Sequence, residues 1–273
     1  MGGIDLGQSR GVPDPITDID QPGVSMILTT RDRPRFLQIA LRCFLHQTYP
    51  NKELVVVDDG LHFPVDADQI EALGGRIVRM PHGASIGAKL NAGIAVARGP
   101  LCQKMDDDDW YGPAFLQTMI RHRLAALHNR CVPMMTFVMP FLFFVLATWD
   151  VRRTIDTNVP GATLMFDKDD WAERPFRDLS TDEDVLFFHD QRRLGRHVSW
   201  VSEIEIFTAV RHSGISGDRS HTWTRHHSWM SLEQYIDSRP LHHLQPEDYM
   251  PEWARHAYRE LRADLMFDPR SRE

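Results

Sequence analysis

Three cysteines in 273 residues, Cys43, Cys102 and Cys131, are too few and too widely spaced for a disulfide framework. They form no CxxC pair, so a thiolate zinc site is excluded as well, and a reducing compartment is implied. Basic residues are also in short supply. The 31 Lys and Arg face 38 Asp and Glu, and a net charge of −7 leaves no footprint for nucleic acid. The opening stretch, "MGGIDLGQSRGVPDPITDIDQPG", lacks the apolar core of a signal peptide, and residues 1–22 read as a flexible lead. Long uninterrupted hydrophobic runs are missing too. The nearest approach, "CVPMMTFVMPFLFFVLATWD" at 131–150, has the length of a marginal membrane span, but Pro133 and Pro140 interrupt it. Its Phe, Val and Thr suit buried strands. A membrane-docking surface is the competing reading.

What is present alternates. Short apolar runs, "GVSMILTT" (23–30), "ELVVVDDG" (53–60), "RIVRM" (76–80) and "PLCQKM" (100–105), read as strands. Between them, "PRFLQIALRCFLHQTYP" carries Leu37, Ala40, Leu41, Phe44 and Leu45 on one helical stripe behind Pro34. Residues 86–97 make a second helix. "PAFLQTMIRHRLAALH" makes another, with Phe115, Leu116, Met119, Ile120, Leu124 and Leu127 apolar. Such alternation predicts an α/β chain with a doubly wound, mostly parallel sheet. Further on, 151–170 reads as an extended segment, a Pro-Gly turn and a strand. Residues 181–195 read as a helix capped by Thr181 with acids in its first turn. "HVSWVSEIEIFTAV" is strand-like, "RHSGISGDRSHTWTRHHSW" is a loop, and a single amphipathic helix closes the chain.

In an open α/β sheet, ligands bind at the carboxyl ends of the strands. Three strands end in polar clusters: "TTRDR", "DDG" and "MDDDD". Four adjacent carboxylates repel one another unless something positive sits among them. The run Asp106–Asp109 is therefore either a solvated loop or a cation site. An EF-hand is excluded, because the required Gly and terminal Glu are not at their spacings.

The blocks "VSMILTTRDRPRFLQIALRCFLHQTYPNKELVVVDDG", "GASIGAKLNAGIAVARGPLCQKMDDDDWYGP", "VPGATLMF" and "TDEDVLFF" occur in this order. Together they resemble the family-2 glycosyltransferases of the GT-A fold over residues 23–212. The resemblance implies a GT-A domain at 23–215, with a nucleotide-sugar half at 23–110 and an acceptor half at 111–215. The central sheet would be flanked by helices and joined by a small additional sheet, with a C-terminal loop and helical tail at 216–273. It also implies an inverting transfer from a nucleotide-diphosphate donor, most simply a UDP-sugar, to a hydroxyl of a glycan or lipid-linked acceptor. The expected compartment is the cytoplasm; peripheral contact with the inner face of a membrane, and self-association, are left open.

On this resemblance Asp106 and Asp108 form the Asp-x-Asp metal motif for Mn²⁺ or Mg²⁺, hard cations that suit carboxylates. Asp107 would turn to the ribose, since neighbours in extended chain face opposite ways. Asp109 is left either to the metal, through water, or to the start of the next helix. Asp59 matches the residue that reads the uracil imide, with Asp58 as its neighbour and an Asp-Gly turn as the plainer use. Thr29, Thr30 and Arg31 would wall the nucleotide pocket. Lys89 either reaches a phosphate near a helix start or is an ordinary surface lysine. Asp184 matches the general base and Glu183 its partner, with helix capping as the plainer role. His212 and His221 are candidates for a further metal ligand. Trp171, Phe176, Trp223 and Trp229 are candidates for stacking on sugar rings, or for core packing. The rivals are a nucleotidyltransferase, which would leave 181–190 without a role, and a binding module that has lost catalysis.

Overall fold

The computed structural model describes residues 21–128, 133–154, 161–212, 241 and 244–267. The first half follows the periodicity closely. Strands β1 (Val24–Thr30), β2 (Lys52–Asp58), β3 (Arg76–Arg79) and β4 (Leu101–Asp106) alternate with helices α1 (Pro34–Leu45), α2 (Ala67–Ala72) and α3 (Ile86–Val96). Pro34 starts α1 because a helix's first amide needs no intrahelical partner. The buried face of α1 is Phe36, Leu37, Ile39, Ala40, Leu41, Cys43 and Phe44. Leu45, expected on that stripe, is 52% exposed where the last turn leaves the sheet. Helix α2 was not expected; Asp66 caps it by accepting from Asp68 N.

After the aspartates comes a short strand, β5 (Trp110–Tyr111), then α4 (Phe115–His128). Its Phe115, Leu116, Met119 and Ile120 are fully buried, whereas Leu127 is 41% exposed. The apolar stretch at 131–150 contains strands: β6 (Pro133–Val138) and β7 (Leu142–Val145), with β8 (Asp150–Arg153) following. Then come β9 (Met165–Asp167), an unforeseen α5 (Lys168–Glu173), α6 (Glu183–Arg193), β10 (His197–Val201) and β11 (Phe207–Arg211). The closing helix is two pieces, α7 (Pro246–Tyr249) and α8 (Glu252–Phe267). Pro251 lies between them, where a proline opposes a continuous helix.

Among the described residues, seven strands form one sheet in the order β10-β6-β9-β4-β1-β2-β3 and four form a second, β5-β11-β7-β8. The large sheet is parallel except where β9 runs against β4 and β6. The expected "HVSWVSEIEIFTAV" strand is divided between the sheets, because a 3-10 turn at Ile204–Ile206 separates β10 from β11. Helix α3 lies very close to the sheet: a Cβ at Gly93 would stand 2.7 Å from Val57 and 2.8 Å from Ile27. Among the described residues, no helix is long and apolar enough to cross a membrane.

Candidate active site

Parallel register brings the three polar clusters to one edge. Thr30 lies beside Asp58, and Thr29 beside Asp106. Thr29 is partly exposed at this edge, while Thr30 is buried and donates to Asp107 at 2.7 Å.

Asp59 sits at the end of β2, 1% exposed. Lys89 Nζ donates to its Oδ1 at 2.8 Å, and Arg31 and Gly83 N donate to Oδ2. Burial opposes ionisation, but the Arg31 and Lys89 contacts outweigh it and hold the carboxyl below the ordinary range. Lys89 is thus buried and turned to Asp59 and the Thr30 carbonyl. Asp58 faces the other way. It accepts from Gly60 N and Val65 N and pairs with Arg79, which shapes the loop after β2.

Each carboxylate of the acidic run faces a basic side chain, Arg33 being shared by two of them, and most have a second polar partner. Asp106 holds Lys104 Nζ at 2.7 Å. Asp107 holds Thr30 and Arg33, the latter at 2.6 Å. Asp108 lies 3.1 Å from Arg33 and 3.2 Å from His212 Nε2. Asp109 accepts from Val210 N at 2.8 Å and stands 3.7 Å from Arg211. The mutual repulsion of four adjacent charges is answered by residues from four separate strands and loops. Asp107, Asp108 and Asp109 are buried, and burial raises the carboxyls of Asp107 and Asp109. Asp106 is the most open of the four, with 27% of its side chain exposed. From below, Tyr258 of α8 donates its hydroxyl to the Asp108 carbonyl at 3.3 Å.

The fit to a divalent ion follows from this donor set. Among the described residues, no three His, Cys, Asp or Glu side chains are drawn together as a metal cage. Asp108 and His212 nevertheless lie side by side, with Asp106 on the open rim. A site of one or two carboxylates finished by substrate phosphates is how Mg²⁺ is ordinarily held. The residues fit the group in kind. His221 lies outside the described residues, as do Trp223 and Trp229.

The second acidic pair begins α6. The residue before the helix is Asp182, in the left-handed region at φ 60°, and no side chain caps it, so the expected Thr181 cap is not formed. Glu183 is 5% exposed, and burial, with the charge of Asp184 next, pushes its carboxyl up to about 7. Burial also raises Asp184, against the pull of Lys104. Asp184 Oδ1 accepts from Val185 N at 2.8 Å, and Oδ2 fills the space beside Gly161. Tyr111 closes the distance to the acidic run: its hydroxyl accepts from Asp106 N at 2.9 Å and donates to Ala162 O at 3.0 Å. Asp106 lies close enough to Asp184 for its charge to raise the Asp184 carboxyl further.

Sequence reasoning missed Arg33, Lys104, Tyr111, Arg211 and Tyr258. Lys104 did leave a signal, since a lysine inside a central parallel strand breaks the apolar run such strands normally show. The aromatic candidates in the described part are packing residues. Trp171 donates to Asn91 at 2.8 Å, and Phe176 stacks on Phe187 at 4.1 Å. Thr30 and Arg33 also line a cavity of about 400 Å³ with Leu37, Phe63 and Val65.

Residues 25–128 match the model described as glycosyl transferase family 2. A curated relative in Bacillus subtilis (strain 168), which bears the provisional name glycosyltransferase EpsH, is 28% identical over 106 residues. That match takes in 38% of this chain and 31% of the relative, so the chain spans about a third of its length. Among solved structures, TarS of S. aureus is similar at a TM-score of 0.51 and 18% identity, covering 69% of this chain and 36% of that one. Its fragment 1–349 in complex with UDP-GlcNAc gives a TM-score of 0.53 at 16% identity, covering 73% and 62%. At such identities the likeness carries the fold. Over residues 25–128 the chain is thus similar to glycosyl transferase family 2, and it shares the α/β architecture of TarS, the GT-A fold.

Proposed function

We propose that this chain is an inverting glycosyltransferase that moves a sugar from a nucleotide-diphosphate donor, UDP-linked, to a hydroxyl of a glycan or lipid-linked acceptor. The observation that carries the proposal is the meeting of two acidic groups at one edge: Asp106–Asp109 after β4, and Glu183–Asp184 at the start of α6, linked through Lys104, Tyr111 and Gly161. The UDP-GlcNAc held by the TarS fragment supports a nucleotide-sugar donor.

In this mechanism Asp59, kept ionised by Arg31 and Lys89, accepts from the imide N–H of uracil, a donor that cytosine and adenine lack. Asp107 orients the ribose. Asp106, Asp108 and His212 would hold Mn²⁺ or Mg²⁺, which when bound neutralises the charge developing on the leaving diphosphate. Asp184 takes the proton of the acceptor hydroxyl as its oxygen attacks the anomeric carbon. A raised pKa makes that carboxylate a better base than an exposed aspartate. One base opposite the leaving group gives inversion. The buried, unpaired thiols of Cys43 and Cys102 support a cytoplasmic location.

The test is a panel of nucleotide sugars incubated with Mn²⁺, with and without acceptors. Release of free sugar and nucleoside diphosphate is expected. Nucleoside monophosphate or pyrophosphate would instead indicate a nucleotidyltransferase, and binding without turnover an inactive module.

A further inference from the structure

Lys104 is a buried lysine in the middle of the central sheet. Only 4% of it is exposed, on a strand flanked by β1 and β9. A lysine ammonium in such a place is costly unless carboxylates compensate it. Three do. Its Nζ lies 2.7 Å from Asp106 Oδ1, and the charges of Glu183 and Asp184 reach it as well. The strand itself is fixed at this residue, where Lys104 N donates to Leu164 O at 2.9 Å and Gln103 Nε2 to the Lys104 carbonyl at 2.7 Å. The ammonium therefore has a rigid base: it is paired with Asp106, and its strand is bonded to the segment 161–164 on which Asp184 rests. Asp106 is paired from within its own strand, two residues away. The others are tied to Arg33, Arg211 and His212 from distant segments.

We propose that Lys104 is a positioning residue, the shared counter-ion that fixes Asp106 relative to the Glu183–Asp184 pair and so sets the geometry between donor and general base. The inference rests on the glycosyltransferase reading above. Structural charge compensation alone would lower stability on mutation and leave turnover per folded molecule intact. A positioning role lowers kcat in folded protein. It spares nucleotide affinity, because Asp59, to which base reading is assigned above, is held by Arg31 and Lys89 and not by Lys104.

The test compares the wild-type chain with Lys104→Met and Lys104→Arg, using UDP affinity by calorimetry and kcat and KM on the active donor. Lys104→Met is expected to lose about tenfold or more in kcat, as misplacement of reacting groups does, with UDP affinity within about threefold of wild type. Lys104→Arg is expected to recover part of the loss. The double variant Lys104→Met/Asp106→Asn removes both charges and keeps the question open to measurement if the single variant does not fold. Its kcat should equal that of Asp106→Asn alone, since the lysine acts through that carboxylate. The proposal is overturned by a Lys104→Met enzyme with wild-type kcat, by a loss confined to UDP affinity, or by a further tenfold drop in the double variant. A wild-type chain that neither binds UDP nor turns over any donor would overturn the glycosyltransferase reading itself; an active wild type with an equally active Lys104→Met would overturn only this one.

Discussion

Asp184 occupies the space that a side chain at residue 161 would need. A Cβ built on Gly161 would stand 1.5 Å from Asp184 Oδ2 and 2.4 Å from its Cγ. Glycine is therefore required here for close approach, and the carboxylate rests on bare backbone. Gly161→Ala must push Asp184 aside. An ångström of displacement at reacting groups costs on the order of a hundredfold in rate. Steady-state kinetics should find kcat lowered by that order and donor KM nearly unchanged; a wild-type kcat would remove Asp184 from the reacting centre.

Replacing the carboxylate itself separates binding from chemistry. Asp184→Asn should hold donor and nucleoside diphosphate as tightly as wild type in calorimetry, yet lose about 10²- to 10⁴-fold in kcat, the usual contribution of a general base. The pH profile gives the sign. Burial raises Asp184 above the ordinary 3.8 of an aspartate, so the active, deprotonated form is lost as pH falls through that raised value. The acid limb of kcat should accordingly lie above pH 3.8 and disappear in the variant.

Base discrimination is the role proposed for Asp59. Arg31 and Gly83 N crowd Oδ2, whereas Oδ1 accepts from Lys89 and has a second lone pair for an imide. In Asp59→Asn one oxygen becomes a donor. UDP affinity should fall about tenfold, the cost of a lost hydrogen bond to a charged group, while the preference for UDP over CDP narrows. An unchanged UDP to CDP ratio in competition binding would assign base recognition elsewhere.

At the opposite end of the sheet, Glu53 makes stability depend on acid. Burial works against its ionisation, but Ser25, Arg98 and Gly99 all donate to it, and the balance lowers its carboxyl from 4.5 to about 2. A depressed carboxyl contributes fully above the unfolded value and loses that contribution as pH falls through the folded one. Wild type should exceed Glu53→Gln by roughly 2 kcal/mol in urea unfolding at neutral pH. The gap should close between pH 4.5 and about 2. A gap that does not vary with pH would contradict the assignment.

The first half, with its alternating strands and helices, was legible because its signals are local. Four apolar runs ended in polar residues, helical stripes lay between them, and parallel pairing then carried Thr30, Asp59 and Asp106 to one edge without further information. The second half depended on distance. Alternation in "HVSWVSEIEIFTAV" reveals strands but not that β10 joins β6 while β11 joins β5 and β7. The Thr181 cap failed for a local reason: Asp182 adopts the left-handed conformation and becomes the boundary residue itself. In the site, residue type exposed the carboxylates, whereas their cations were hidden. Arg33 and Arg211 are ordinary in sequence and acquire meaning only through contacts to residues more than 70 positions away.

The acidic run is finished by chain made long after it. Val210 N reaches Asp109 across 101 residues, His212 reaches Asp108 across 104, and Tyr258 reaches the Asp108 carbonyl across 150. During synthesis, strands β1 to β4 can pair well before these later segments leave the ribosome. Until they arrive, Asp109 lacks Val210 and Arg211, and Asp108 lacks His212. A nascent chain stalled after α4 would lack all three contacts, so the acidic run takes its folded arrangement only once the segments carrying Val210, His212 and Tyr258 have been added.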